Sequence, residues 1–174
     1  MDLTNITNTV LAVGTIVVEV ASVLLLVMIF TKDRGDLARW FSEKSLALIT
    51  LVSVGSMIAS LVYSEIIGYS PCLMCWYQRV AIYGIAIVSL VALIKKQSKE
   101  VWSYVSTLSV IGVVVAAFHV FSRFTNSEVF DCSASGPSCL QELFTKFGYI
   151  DIPVMSLSAL IFIILLVVNR KKFN

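Results

Sequence analysis

Charge is what this sequence has least of. Asp, Glu, Lys and Arg make up 14% of its 174 residues, whereas 58% are hydrophobic, and the mean hydropathy is +0.91. That balance excludes an ordinary soluble globular domain, because the apolar residues gather into long runs instead of recurring at helical or strand period. A bilayer core takes about 20 apolar residues per helix, so five spans consume nearly the whole chain and leave no room for a separate soluble domain. The opening segment MDLTNITNT carries Asp2 but no Lys or Arg, and no obvious small-residue cleavage site follows it. The basic start of a signal peptide is thus missing, and the first apolar run is expected to stay as a real helix. No repeated polar face lines the spans, as a pore would need. Histidine is reduced to one residue, His119.

The apolar runs predict five transmembrane helices, at about 10–30, 45–64, 76–94, 102–121 and 150–169, each bounded by charges, Pro or Gly. Positive charge predicts their orientation. Lys32, Arg34, Arg39, Lys44, Lys95, Lys96, Lys99, Arg170, Lys171 and Lys172 put ten cations on one side, against three on the other, Arg79, Arg123 and Lys146. The first side is expected to be cytoplasmic, with the N-terminus outside and the C-terminus inside. After the last long loop, Leu140, Leu143, Phe144 and Phe147 fall at helical spacing, which predicts a short amphipathic helix on the outer membrane surface.

Four cysteines form two close pairs, Cys72 with Cys75 and Cys132 with Cys139, neither inside an apolar run. On the oxidising face both can persist as disulfides. The C-x-x-C of PCLMCWYQRV opens the third helix, where unpaired N–H groups and the helix dipole favour a thiolate. Arg79 lies one turn below Cys75 on the same face. A fixed cation at that depth is costly without a role, such as stabilising the thiolate or polarising a quinone carbonyl; snorkelling is the plainer reading. The second pair lies in FDCSASGPSC, a segment whose Ser, Gly and Pro favour a mobile turn. Two structural disulfides or a four-thiol zinc site remain open, although the second spacing is not that of a zinc knuckle. His119 reads as a satisfied bundle residue or a site residue. Glu19, in mid-helix, is expected to face the bundle or pair with a polar neighbour. Trp76 and Tyr77 read as interfacial aromatics that also border the proposed quinone site.

YSEIIGYSPCLMCWYQRVAIYG resembles the signature of the DsbB/BdbC family of disulfide bond formation proteins. The likeness runs over roughly residues 45–170, through His119 and the later pair to FGYIDIP before the last helix. It implies an all-α integral membrane fold with a four-helix transmembrane bundle over 45–174; residues 1–44, an additional peripheral N-terminal helix and a cytoplasmic linker, depart from the family pattern. It also implies a thiol oxidase of the bacterial inner membrane, with both cysteine pairs extracytoplasmic. Cys132 and Cys139 would accept electrons from a soluble DsbA/BdbD-like thioredoxin-fold oxidase and pass them to Cys72 and Cys75. Cys75 would then reduce a quinone, ubiquinone or menaquinone, positioned by Arg79 with Trp76 and His119 nearby. Neither a metal nor a nucleic acid is expected. A vitamin K epoxide reductase-like enzyme would carry its C-x-x-C before the last helix, the reverse of the order here. A membrane scaffold with structural disulfides would form no mixed disulfide with a soluble partner.

Overall fold

The computed structural model describes residues 3–31, 35–96, 100–126 and 137–173; Cys132, Lys32, Arg34 and Lys99 lie outside the described residues. Hydrocarbon offers no partner to a backbone N–H or C=O, so long apolar runs fold as helices that pair their own backbone. Among the described residues five form: α1 (Leu3–Phe30), α2 (Asp36–Leu61), α3 (Leu73–Lys95), α4 (Val101–Thr125) and α5 (Ile152–Phe173). All five are long and apolar enough to cross a bilayer, and the chain is an all-α, multi-pass membrane protein.

Two helices reach well beyond their apolar runs, for local reasons. At the start of α1, the Thr7 and Thr9 hydroxyls donate to the carbonyls of Leu3 and Asn5, so polar residues continue the helix to Leu3. Asp36 occupies the first turn of α2, where a negative charge suits the helix dipole. Elsewhere the ends follow recognisable caps. The Asp151 carboxylate accepts the Val154 N–H at 2.9 Å ahead of α5, and Lys96 and Asn126 close α3 and α4 in the left-handed conformation.

Helices α2, α3, α4 and α5 pack in a closed ring, each against the next and α5 back against α2. Ile49, Ile85, Val105, Leu160, Ile163 and Leu166 fill its core. Gly112 of α4 permits the closest approach. A Cβ there would stand 3.0 Å from Ala81 Cβ and from both Leu160 methyls. Helix α1 lies outside the ring against α5 and barely meets α2. It is fastened rather than loose. Lys146 Nζ donates to Asn5 Oδ1 at 2.6 Å, the Tyr63 hydroxyl to Asn8 Oδ1 at 3.0 Å, and the Tyr149 and Ser158 hydroxyls to the two Glu19 oxygens at 2.6 and 2.9 Å. The expectation that Glu19 pairs with polar neighbours is met by these two hydroxyls.

At the end of the bundle that carries the cysteines, α2 widens into a π-helical turn, Val62–Ile66, and Gly68 at φ 84° turns the chain toward Cys72. The expected amphipathic helix at 140–147 does not form. The segment is irregular from Gln141 to Thr145 and ends in a turn closed by a bridge between Lys146 and Ile150, with Phe147 at φ 53° and Gly148 at φ 82°. Those left-handed residues end any helix, and Phe144 finds its partner within the bundle instead, stacking on Tyr63 with centroids 5.6 Å apart, while Phe147 stays exposed.

Candidate functional site

Cys72 is the N-cap of α3, its Sγ accepting the Cys75 N–H at 3.3 Å. Both thiols are free, and their sulfurs lie 2.8 Å apart. With Cys75 in the first turn, the pair sits where unsatisfied N–H groups and the helix dipole concentrate. The Cys75 thiol beside it is the main influence holding the Cys72 thiol well below its ordinary value. His119 acts in the same direction, and burial opposes both.

Cys139 is disulfide-bonded and buried with Cys72 and Met74 against Val115 and Phe118. The Cys72 sulfur, the Cys139 sulfur and a His119 ring nitrogen all lie within 4.8 Å of one another. Gln78, buried on α3, orients the imidazole. Its Nε2 donates to His119 Nδ1 at 2.9 Å, which leaves the ring proton on Nε2 to be donated to the Cys139 carbonyl at 3.1 Å. The same Nε2 stands 4.0 Å from Cys72 Sγ. A cysteine binds zinc as a thiolate, and a disulfide sulfur is not one. A free thiol of lowered pKa beside a disulfide sulfur is instead the arrangement that thiol–disulfide exchange requires.

The other side of Cys75 opens onto a cavity of about 310 Å³ between α1, α2, α3 and α5, a size and an apolar character usual for a small-molecule site. Arg79 lines it and is held on α2, with Nε donating to Ser60 Oγ at 2.8 Å and an amino group to the Ser60 carbonyl at 3.1 Å. Its guanidinium stacks 5.1 Å from the Trp76 ring, which is itself half exposed. Elsewhere in the wall, Tyr83 and Ser156 carry buried hydroxyls with no partner among the described residues. A flat ring with polar oxygens and an apolar tail fits this lining, because it meets a guanidinium and spare hydroxyl donors along otherwise hydrocarbon walls.

The structure thus gathers Cys72, Cys75, Cys139 and His119 in one cluster and sets Arg79 in the adjoining cavity. His119 faces the thiols and is not part of the cavity wall, and Trp76 reaches the cavity only through Arg79. Sequence reasoning missed Gln78, Ser60 and the pinning of the loop by Arg123. The Arg123 Nε lies 3.1 Å from an Asp151 carboxylate oxygen, and NH1 donates to the Gln141 carbonyl at 3.0 Å. Gln78 carried a signal, being an amide inside an apolar span three residues after Cys75. The others are tertiary pairings that no local pattern marks.

Among families, the one described as disulfide bond formation protein DsbB matches residues 42–169. The SPbeta prophage-derived disulfide bond formation protein B of Bacillus subtilis (strain 168) is 38% identical over 118 residues, covering 68% of this chain and 78% of that protein. Disulfide bond formation protein C of the same organism is 32% identical over 117 residues, covering 66% and 83%. A probable disulfide formation protein of Oceanobacillus iheyensis is 34% identical over 136 residues, covering 75% and 92%. No solved structure matches the chain.

Proposed function

We propose, since this chain belongs to the DsbB family of disulfide bond formation proteins, that it is a membrane thiol oxidase carrying electrons from a soluble thioredoxin-fold dithiol to a membrane quinone. The observation that carries the reading is the continuity of the site. The disulfide-bonded Cys139 adjoins the Cys72 thiol, Cys72 adjoins Cys75, and Cys75 borders the cavity containing Arg79.

In the proposed cycle, a partner dithiol reduces the disulfide between Cys132 and Cys139 and becomes a disulfide itself. The Cys139 thiolate attacks Cys72 of a Cys72–Cys75 disulfide, forming the Cys139–Cys72 bond and releasing the Cys75 thiolate. Cys132 then attacks Cys139 and frees Cys72, which leaves a dithiol at the mouth of the cavity, the state of these thiols seen here. When Cys72 and Cys75 close again, two electrons and two protons pass to the quinone, which leaves as quinol. Arg79 supplies a fixed positive charge and planar donors where negative charge develops on the acceptor, in surroundings of low dielectric. His119 and Gln78 hold the Cys139 backbone beside Cys72, shortening the search between the two pairs. Both pairs face the extracytoplasmic side of the bacterial cell membrane in this reading, and exported proteins are the final beneficiaries.

The test is anaerobic quinone reduction by the purified chain supplied with a reduced thioredoxin-like dithiol. Stoichiometric quinol and partner disulfide are expected. Cys139→Ser and Cys132→Ser should stop partner oxidation while quinone still oxidises Cys72 and Cys75. Partner oxidation at the normal rate in those variants would break the series order.

A further inference from the structure

Helix α1 lies outside residues 42–169, the span that matches the family, yet it forms one wall of the cavity beside Cys75. Leu11, Gly14, Thr15 and Val18 face Leu51, Val52, Gly55 and Ala59 of α2 across it. The two helices barely touch each other, both being packed on α5, so a slot remains between them with α5 as its floor. Gly14 lies eleven residues below the start of α1, and Gly55 eleven residues below Ile66 at the end of the antiparallel span. At 1.5 Å per residue both stand about 16 Å from the cysteine end, opposite one another. Arg79, six residues into α3, stands at about 9 Å, nearer that end. The slot is therefore a downward extension of the compartment that holds Arg79. A Cβ added at Gly14 or Gly55 would meet no atom within 4 Å, so the missing side chains leave open space instead of relieving a helix contact. Both glycines are exposed in the bundle, so the slot opens sideways where the spans face lipid.

We propose that α1 determines which acceptors this protein takes, the slot between Gly14 and Gly55 receiving the apolar tail of a quinone whose ring lies at Cys75 and Arg79. The inference rests on the quinone reading above and deepens it. A long-tailed acceptor dissolved in the bilayer enters with its tail continuous with lipid, and the slot lets the ring reach Arg79 while the tail stays in an apolar path. The four polar bonds from Asn5, Asn8 and Glu19 keep the wall in place.

The experiment compares two quinones with the same ring, one bearing a long prenyl tail and one bearing none. The full chain is assayed in lipid nanodiscs with a reduced thioredoxin-like dithiol as electron source. Gly14→Leu and Gly55→Leu each place a side chain in the slot, and replacing a mid-helix glycine raises helix stability rather than lowering it. Each is expected to raise the apparent KM for the long-tailed quinone about tenfold while changing that for the tailless quinone less than about threefold, a loss confined to tail binding. Gly14→Ala should fall between wild type and Gly14→Leu, and keeps the test open if the larger side chain impairs folding. Val17→Phe, on the exposed face of α1, should change neither value. Well-folded Gly14→Leu and Gly55→Leu proteins with unaltered KM for both quinones would overturn the proposal, as would an equal rise for both. A wild-type protein that exchanges disulfides with the dithiol but reduces neither quinone would overturn the acceptor reading itself, a result distinct from both.

Discussion

Cys72 is the residue on which the two halves of the site meet, and its environment has a measurable consequence. A thiol held well below its ordinary value remains thiolate as pH falls, until the pH passes that lowered value. An ordinary thiol ionises near 8.5 and would lose reactivity on the order of a hundredfold between pH 8 and pH 6. In a Cys75→Ser protein, whose hydroxyl still offers Cys72 a donor, alkylation of Cys72 measured by mass spectrometry should stay nearly level across that interval. A hundredfold fall would show that the neighbouring donor and His119 do not govern the thiol. Arg79 is the corresponding residue on the acceptor side. Arg79→Ala should raise the quinone KM or lower turnover by about tenfold, about 1.4 kcal/mol of transition-state stabilisation. Arg79→Lys should fall between, since it keeps the charge and loses the fork that grips Ser60. Unchanged steady-state kinetics in a folded Arg79→Ala protein would reduce the residue to a cation tied to α2.

At the scale of elements, the five helices were readable because an apolar run of spanning length has one stable solution in hydrocarbon. The C-x-x-C at the head of α3, with Arg79 one turn on, was readable for a similar reason, since both are local spacings on a single helix. The loop before α5 was misread because Leu140, Leu143, Phe144 and Phe147 keep helical spacing, yet Phe144 packs on Tyr63 and Gly148 turns the chain. The neighbours of His119 were hidden as well, because Gln78 and Cys139 come from separate segments. The peripheral place of α1 was expected, and what fastens it there was the largest gap. Its sequence shows an apolar run interrupted by Glu19, and only the fold shows that Tyr149 and Ser158 receive that acid. The carboxylate in turn raises the Tyr149 phenol above its ordinary value, which keeps it a donor. Polar contacts between spans contribute on average about 0.6 kcal/mol each, so Glu19→Ala should cost about 1 kcal/mol. Tyr149→Phe should cost roughly half of that, and the double variant little more than Glu19→Ala alone. Thermal midpoints in detergent measure all three, and strict additivity would mean that the two side chains do not act together.

On the scale of the whole molecule, the distribution of charge connects the fold to its orientation. Seven of the ten described cations, Arg39, Lys44, Lys95, Lys96, Arg170, Lys171 and Lys172, lie toward the end opposite the cysteines. The three at the cysteine end are all engaged: Arg79 with Ser60, Arg123 with Asp151 and Gln141, and Lys146 with Asn5. Arg170 and Lys172 at the other end are held as well, by Ser42, Trp102 and the Met28 carbonyl, so it is the excess of cations there, in number, that predicts its cytoplasmic side. The bundle should therefore sit with its cysteine end outside, where an oxidising compartment allows the disulfide at Cys139 to persist. With five spans among the described residues, α1 should then begin outside and α5 end inside. A membrane-impermeant maleimide applied to intact cells after mild reduction should label Cys132 and Cys139, while a cysteine introduced at Asn174 should react only once the membrane is broken. Labelling of the native pair solely in broken cells would invert the topology. In that case the partner dithiol would have to be cytoplasmic, and the direction of electron flow argued from the site would lose its compartment.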